Sequence, residues 1–164
     1  MKRTSLGRVE CPVARALDEI GDWWSLLIIR DAFDGMRRFG EFQKSLGISK
    51  GILTSRLKHL VAIGVLETVP LGDEGSYEEY VLTRKGRGLF LVTVSLRQWG
   101  EEHCFDKSER HSLLVEKASG QRVQRLALRG RDGKDLDDSA TFVRKVPGAL
   151  APRASRSAKA NRSR

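Results

Sequence analysis

Thr54, Ser55 and Lys58, with Lys50 and Arg56 on their flanks, are the side chains whose types and spacing best suit a common chemical task. On a helix they share one side with Gly51, while Leu53, Leu57 and Leu60 fall about 100° per residue apart into a single apolar stripe on the other. Hydroxyls can hydrogen-bond base edges, and cations can neutralise phosphates. A helix buried on one side, and small, hydroxylated and basic on the other, suits the major groove of DNA. A bundle corner that touches no nucleic acid has the same local pattern, so the flanking segments must decide. Sulfur offers a second chemistry. Cys11 directly precedes a proline that can open a helix, and unpaired backbone N–H groups at such a terminus favour a thiolate. Arg8 and Arg15 would add to this, and Glu10 would oppose it.

Catalysis finds little support. The histidines are His59, His103 and His111, and no Ser/His/Asp set, phosphate loop or metal-ligand spacing surrounds them. Cys104 with His103 and His111 supplies three zinc-type ligands in no recognised order. No enzyme, cofactor or metal is expected.

The elements that must position the basic helix are legible on both sides of it. A short helix over 40–46 has Phe42 and Leu46 on one face, and Gly47 stops it. Ser49 stands where an N-cap belongs, ahead of the second helix, so Ser49, Lys50 and Gly51 open its groove side. After Gly64 come VLETVP and YEEYVLT, rich in β-branched and aromatic residues and separated by the turn-like LGDEGS. Helix-turn-helix followed by a β-hairpin is the order of a winged helix. Arg37 and Arg38 lead into the motif, at the edge of the expected DNA site.

Upstream, Pro12 opens a helix with Val13, Ala16, Leu17 and Ile20 on its apolar face, and Gly21 stops it. Asp22 can cap WWSLLIIRDAF, apolar almost all round and so expected in the core, with Trp23 and Trp24 as packing anchors. Downstream, Thr83 can cap one long helix reaching Cys104. Leu89, Val92, Leu96 and Trp99 form one stripe on it, and Phe90 and Val94 form a second beside it. That is more apolar surface than one small domain covers, so a second copy of the chain is the expected cover. The alternative is that residues 105–145 fold back over the second stripe.

The net charge of +9 is unevenly placed. Residues 1–110 hold 17 Lys+Arg against 16 Asp+Glu, whereas residues 111–164 hold 13 against 5. The high isoelectric point therefore comes from the tail and is no proof that the helical part binds phosphate. With two cysteines, no long apolar run and no secretory leader, a cytoplasmic protein without membrane partners is expected. Four regions result: a flexible 1–10, a DNA-binding and dimerisation domain over 11–104, a small β-rich appendage over 105–146 and a basic disordered 147–164. The fold class is mainly α with a small β-hairpin.

Several stretches together resemble the HxlR-type winged-helix transcriptional regulators of bacteria. They are CPVARALDEIGDWWSLLIIRDAF, GMRRFGEF, GISKGILTSRLKHLVAIGVLE, EEYVLTRKGRGL and LRQWGEEH, in the family's order over about residues 11–103. The resemblance implies a homodimer on double-stranded operator DNA. In it the second helix of the motif enters the major groove, the hairpin acts as a wing, and the first and last helices pair across the dimer. Cys11 also resembles the N-terminal cysteine that some members use as a thiol sensor; the alternative is an unreactive helix-start cysteine retained for packing. If the first and last helices pair across the dimer, Cys104 comes within reach of Cys11 for an inter-subunit bridge. The chain departs from the family in three places. The wing arginine of relatives is replaced by Tyr77 or Glu78 beside Asp73 and Glu74, Lys50-Gly51 replaces a proline-containing helix start, and no cysteine follows Cys104. With the cysteines absent, a metal in the appendage is not expected.

Overall fold

The computed structural model describes residues 5–7, 9–71 and 77–146, with the backbone only for Tyr77. The expected hairpin tip with Asp73 and Glu74, the residue Arg8, most of the N-terminal arm and the basic 147–164 lie outside the described residues.

Helix α1 (Pro12–Ile20) starts on its proline, with Cys11 in extended backbone as the N-cap. Asp22 caps α2 (Trp23–Phe33), its carboxylate accepting from the Ser25 amide at 3.1 Å and from the Ser25 hydroxyl. The short helix α3 (Phe39–Leu46) begins one residue earlier than its sequence suggests. Glu41 on its first turn reaches back to accept from the amides of Arg37 (2.8 Å) and Arg38 (2.9 Å). Those two bonds hold the Glu41 carboxyl below the usual carboxylate range. Gly47 ends α3 with φ +63°, a left-handed conformation that the absence of a Cβ makes accessible. Ser49 then caps α4 (Lys50–Ala62), accepting from the Ile52 amide at 3.4 Å.

The core lies where α2, α3 and α4 meet. Ile28, Ile29, Phe42, Leu53, Leu57 and Leu60 are all fully buried there, each worth roughly 1.5–3 kcal/mol relative to exposure. Helix α2 is central, as its composition implies, but not on every side. Trp24 packs against the core, whereas Trp23 is 72% exposed and meets Trp24 edge-on, so only one of the two tryptophans is a packing anchor.

Strands β1 (Leu66–Leu71) and β2 (Tyr77–Leu82) pair antiparallel, from Leu66 opposite Leu82 to Leu71 opposite Tyr77. The Tyr80 amide donates to the Arg37 carbonyl at 2.8 Å, which ties this hairpin to the entry of α3. Burial, and secondarily the charge of Glu78, push the Tyr80 phenol above its ordinary range.

The single long helix expected after Thr83 is two helices. Thr83 does cap the first, its hydroxyl accepting from the Gly86 amide at 3.1 Å, but α5 (Arg84–Arg87) ends at once and α6 (Phe90–His103) follows. Between them the Leu89 amide bonds the Gly86 carbonyl at 3.0 Å, a tighter turn than an α-helix makes. The turn rotates Leu89 inward against the core, off the stripe it was expected to extend. Val92, Leu96 and Trp99 keep that stripe, 42%, 50% and 59% exposed. Val94 is buried on the opposite side of α6, and Phe90 meets Phe33 edge-on at 5.1 Å.

Residues 105–146 return along α6 with sparse β structure. An antiparallel bridge joins Val115 and Arg122, and β3 (Leu128–Arg129) pairs with β4 (Asp135–Leu136). This appendage takes the polar edge of α6. Gln98 donates to the Gln124 carbonyl at 3.0 Å and accepts from the Leu126 amide at 2.9 Å. Arg122 pairs with Glu101 at 2.5 Å, and Arg125 with Glu102. The Arg125 contact holds the Glu102 carboxyl low. The outward stripe of Val92, Leu96 and Trp99 is left uncovered.

Candidate nucleic-acid interface

Helix α4 presents the exposed, polar side that its sequence implies. Leu53, Leu57 and Leu60 anchor one side completely, while Ser49, Lys50, Gly51, Thr54, Ser55 and Lys58 are all exposed. Among the described residues, neither Lys50 nor Lys58 has an ion-pair partner. Nothing lies within 4 Å of a Cβ built on Gly51, so the first turn of α4 is open to a close neighbour.

The other basic residues are differently placed. The Arg56 side chain is 37% exposed, and its Nε lies 3.2 Å from Asp22 Oδ1 in an ion pair without hydrogen-bond alignment. The residue expected on a phosphate is thus turned toward the N-terminus of α2. Arg37 and Arg38 remain well exposed, but both lean on Glu79 of β2, at 3.5 and 3.6 Å. Because the Glu79 side chain is only 14% exposed, it neutralises part of this basic edge from within the protein. At the far end of α4, His59 Nε2 donates to the Glu19 carbonyl at 2.7 Å, and Lys85 bonds the Glu19 carboxylate at 2.7 Å and the Ile63 carbonyl at 2.8 Å. Helix α4 is therefore tied at its middle to Asp22, the N-cap of α2, and near its C-terminal end to Glu19 of α1, which fixes the orientation of its exposed side.

Sequence reasoning passed over two residues. Ile52 is 41% exposed on the first turn of α4, an apolar group of the kind that meets a thymine methyl. Its signal was present, since it stands off the Leu53-Leu57-Leu60 stripe. Glu79 had no such signal, because its partners lie some forty residues away.

Both cysteines are free thiols and exposed, Cys11 as the N-cap of α1 and Cys104 as the C-cap of α6. Among the described residues, no group of three or more His, Cys, Asp or Glu side chains is arranged to hold a metal ion. His103 meets Trp99 at a tilt, with ring centroids 5.2 Å apart, and His111 meets Phe105 likewise at 5.0 Å. No helix among the described residues is long and apolar enough to cross a membrane.

Known proteins share this arrangement. The crystal structure of PA1607, a candidate transcription factor, is 54% identical, superposes with a TM-score of 0.83, and covers 87% of this chain and all of its own. The redox regulator HypR in its oxidized form is 33% identical with a TM-score of 0.52, and the match spans 57% of this chain and 97% of HypR. Rv3095 of Mycobacterium tuberculosis, named as an HTH-type transcriptional regulator, is 47% identical over 91 residues, or 56% of this chain. The match spans 58% of the length of Rv3095. Each of the three is named as a transcription factor or a regulator. With residues 19–108 matching the family, the chain belongs to the HxlR-like helix-turn-helix proteins, and its winged helix-turn-helix is theirs.

Proposed function

We propose that the protein regulates transcription as a homodimer that recognises an inverted-repeat operator. The observation that carries this reading is the asymmetry of α4: one side is wholly buried, and the other is exposed, small, hydroxylated and basic. Thr54, Ser55 and Lys58 face the groove. Lys50, Arg37 and Arg38 serve the phosphates, the two arginines exchanging Glu79 for phosphate oxygens. Arg56 acts mainly as a strut that sets α4 against α2. A winged helix used only for protein docking would expose aromatic or aliphatic anchors on this side, and apart from Ile52 it does not.

Selection of bound fragments from genomic DNA, with a chain ending at residue 146 to remove the basic tail, tests the reading. A preferred site with two-fold symmetry is expected. On that site, replacing Thr54 or Ser55 with alanine should cost on the order of 1–3 kcal/mol and relax preference at one position. Lys58→Ala should retain folding and weaken binding, and Lys50→Ala should weaken all sequences alike and lower the salt slope by about one unit. Failure to prefer any selected site over random DNA would sink the proposal.

A second reading adds thiol sensing, favoured by two exposed cysteines at the ends of the two helices assigned to the dimer. The HypR name shows that redox regulation occurs on this fold. Oxidation would join Cys11 of one protomer to Cys104 of its partner, two thiols losing two electrons and two protons to an added oxidant such as diamide. Non-reducing electrophoresis should then show a covalent dimer and DNA affinity should change, with Cys11→Ser insensitive on both counts. Equal responses from wild type and Cys11→Ser would eliminate this reading.

A further inference from the structure

We propose that the cavity between α2, α6 and residues 105–114 is a binding site for an uncharged phenolic compound. The cavity measures about 300 Å³, at the lower end of the range of small-molecule sites. Its walls are mainly apolar, with Phe33 and Phe90 meeting edge-on at one side and Phe105 at the other. Leu26, Val94 and Leu114 complete them. Rings on several sides favour a flat aromatic occupant, which they can contact face-on or edge-on.

Charge restricts the ligand further. Two arginines reach the cavity, and both are already engaged. Arg30 donates twice to Asp31, at 2.9 and 2.6 Å. Arg97 donates to the Ser112 carbonyl and hydroxyl, at 3.0 Å each, and lies 3.7 Å from Glu101. Glu101 in turn is held by Arg122, and Asp34 adds an acidic group to the lining. With no spare cation, a carboxylate or phosphate ligand would lose its hydration without a counter-charge.

Asp34, Thr93 and His111 are the polar side chains left to orient a ligand, and the first two offer acceptors, since the Thr93 proton goes to the Phe90 carbonyl at 2.7 Å. His111 lines the cavity, meets Phe105 at a tilt, and brings Nδ1 to 3.0 Å from the Ser112 carbonyl and 3.9 Å from Glu101. A carbonyl only accepts, so Nδ1 carries the proton, and in the neutral ring Nε2 is an acceptor. The complementary group is a hydroxyl donor on an aromatic ring, which is a phenol. Helix α2 packs against α4 and α6 carries the outward apolar stripe, so the ligand would touch both elements that matter for DNA. That consequence rests on the proposed function; binding itself does not.

Isothermal titration calorimetry on the full chain tests the site with 2-naphthol, 2-methoxynaphthalene and 2-naphthoate as probes, and no DNA present. Saturable binding of one 2-naphthol per chain is expected, with each of the other probes at least about tenfold weaker. His111→Phe keeps a ring against Phe105 and removes the acceptor, so it should weaken 2-naphthol about tenfold and leave 2-methoxynaphthalene unchanged. Thr93→Phe places a ring in the cavity and should abolish binding of both, with circular dichroism confirming that each variant is folded. Absence of saturable 2-naphthol binding would overturn the proposal. So would equal affinity for 2-naphthoate, or unchanged 2-naphthol affinity in His111→Phe.

Discussion

A chain carrying glutamate in place of both Val92 and Leu96 is expected to sediment as a folded monomer and to lose its preference for an inverted-repeat operator. Val92, Leu96 and Trp99 lie on the side of α6 opposite the buried Val94, and the appendage passes along a different edge. Val13 and Leu17 of α1 are also well exposed, at 66% and 50%. This much apolar surface on two helices fits a two-fold interface, in which each patch meets its own copy. Val92 and Leu96 are already about half buried in the chain, so covering the rest in the dimer contributes roughly 1 kcal/mol each, and glutamate forfeits it. The substitutions also bring like charges together across the symmetry axis, at positions too exposed in the chain itself to disturb its core. Operator affinity should fall by about 10²–10⁴, because the second half-site is no longer tethered to the first. Half-sites about one helical turn apart, or a multiple of that, are expected for the wild type. Analytical ultracentrifugation decides the matter: a monomeric wild type at micromolar concentration, or a dimeric double variant, would rule the interface out.

Gly86→Ala should be the most destabilising single methyl addition among the described glycines outside left-handed backbone and helix caps. A Cβ there would stand 2.2 Å from the Val65 carbonyl oxygen and 2.9 Å from Leu82 Cδ2. That carbonyl cannot simply retreat, because it accepts from the Thr83 amide at 3.2 Å and the Thr83 hydroxyl at 3.3 Å. Thr83 also donates to the Gly64 carbonyl at 2.6 Å, so the start of the wing, its end and the first turn of α5 are held at one point. Relieving the clash means moving all three, at a cost on the order of 3 kcal/mol and a loss of about 10 °C in Tm. Gly40→Ala is the control. Nothing lies within 4 Å of its added methyl, and it should stabilise by up to about 1 kcal/mol through helix propensity. Equal stability of Gly86→Ala and the wild type in urea unfolding would show that the junction yields.

What could be read from the sequence was what depends on near neighbours. The Leu53-Leu57-Leu60 stripe follows from the helical period, the stop at Gly47 from its freedom at positive φ, and the caps at Asp22, Ser49 and Thr83 from side chains that bond amides three residues on. The wing followed from two β-rich runs around a turn. The exposed side of α4 was legible for the same reason: once the buried stripe is known, Thr54, Ser55 and Lys58 have nowhere else to point. Partners far along the chain decided the rest. Asp22 pairs with Arg56, and Glu79 shares Arg37 and Arg38, though residue type and spacing leave all three available. The close approach of Gly86 to Val65, and the tight turn after it, split a continuous helical pattern and turned Leu89 inward. The appendage lay down along Gln98, Glu101 and Glu102 because polar partners at Arg122, Gln124 and Arg125 matched that edge, a long-range complementarity that no local period encodes. Local chemistry thus determined which surfaces exist. Tertiary structure decided which of their charged and apolar groups remain available to another molecule, because that depends on contacts between residues distant in the chain.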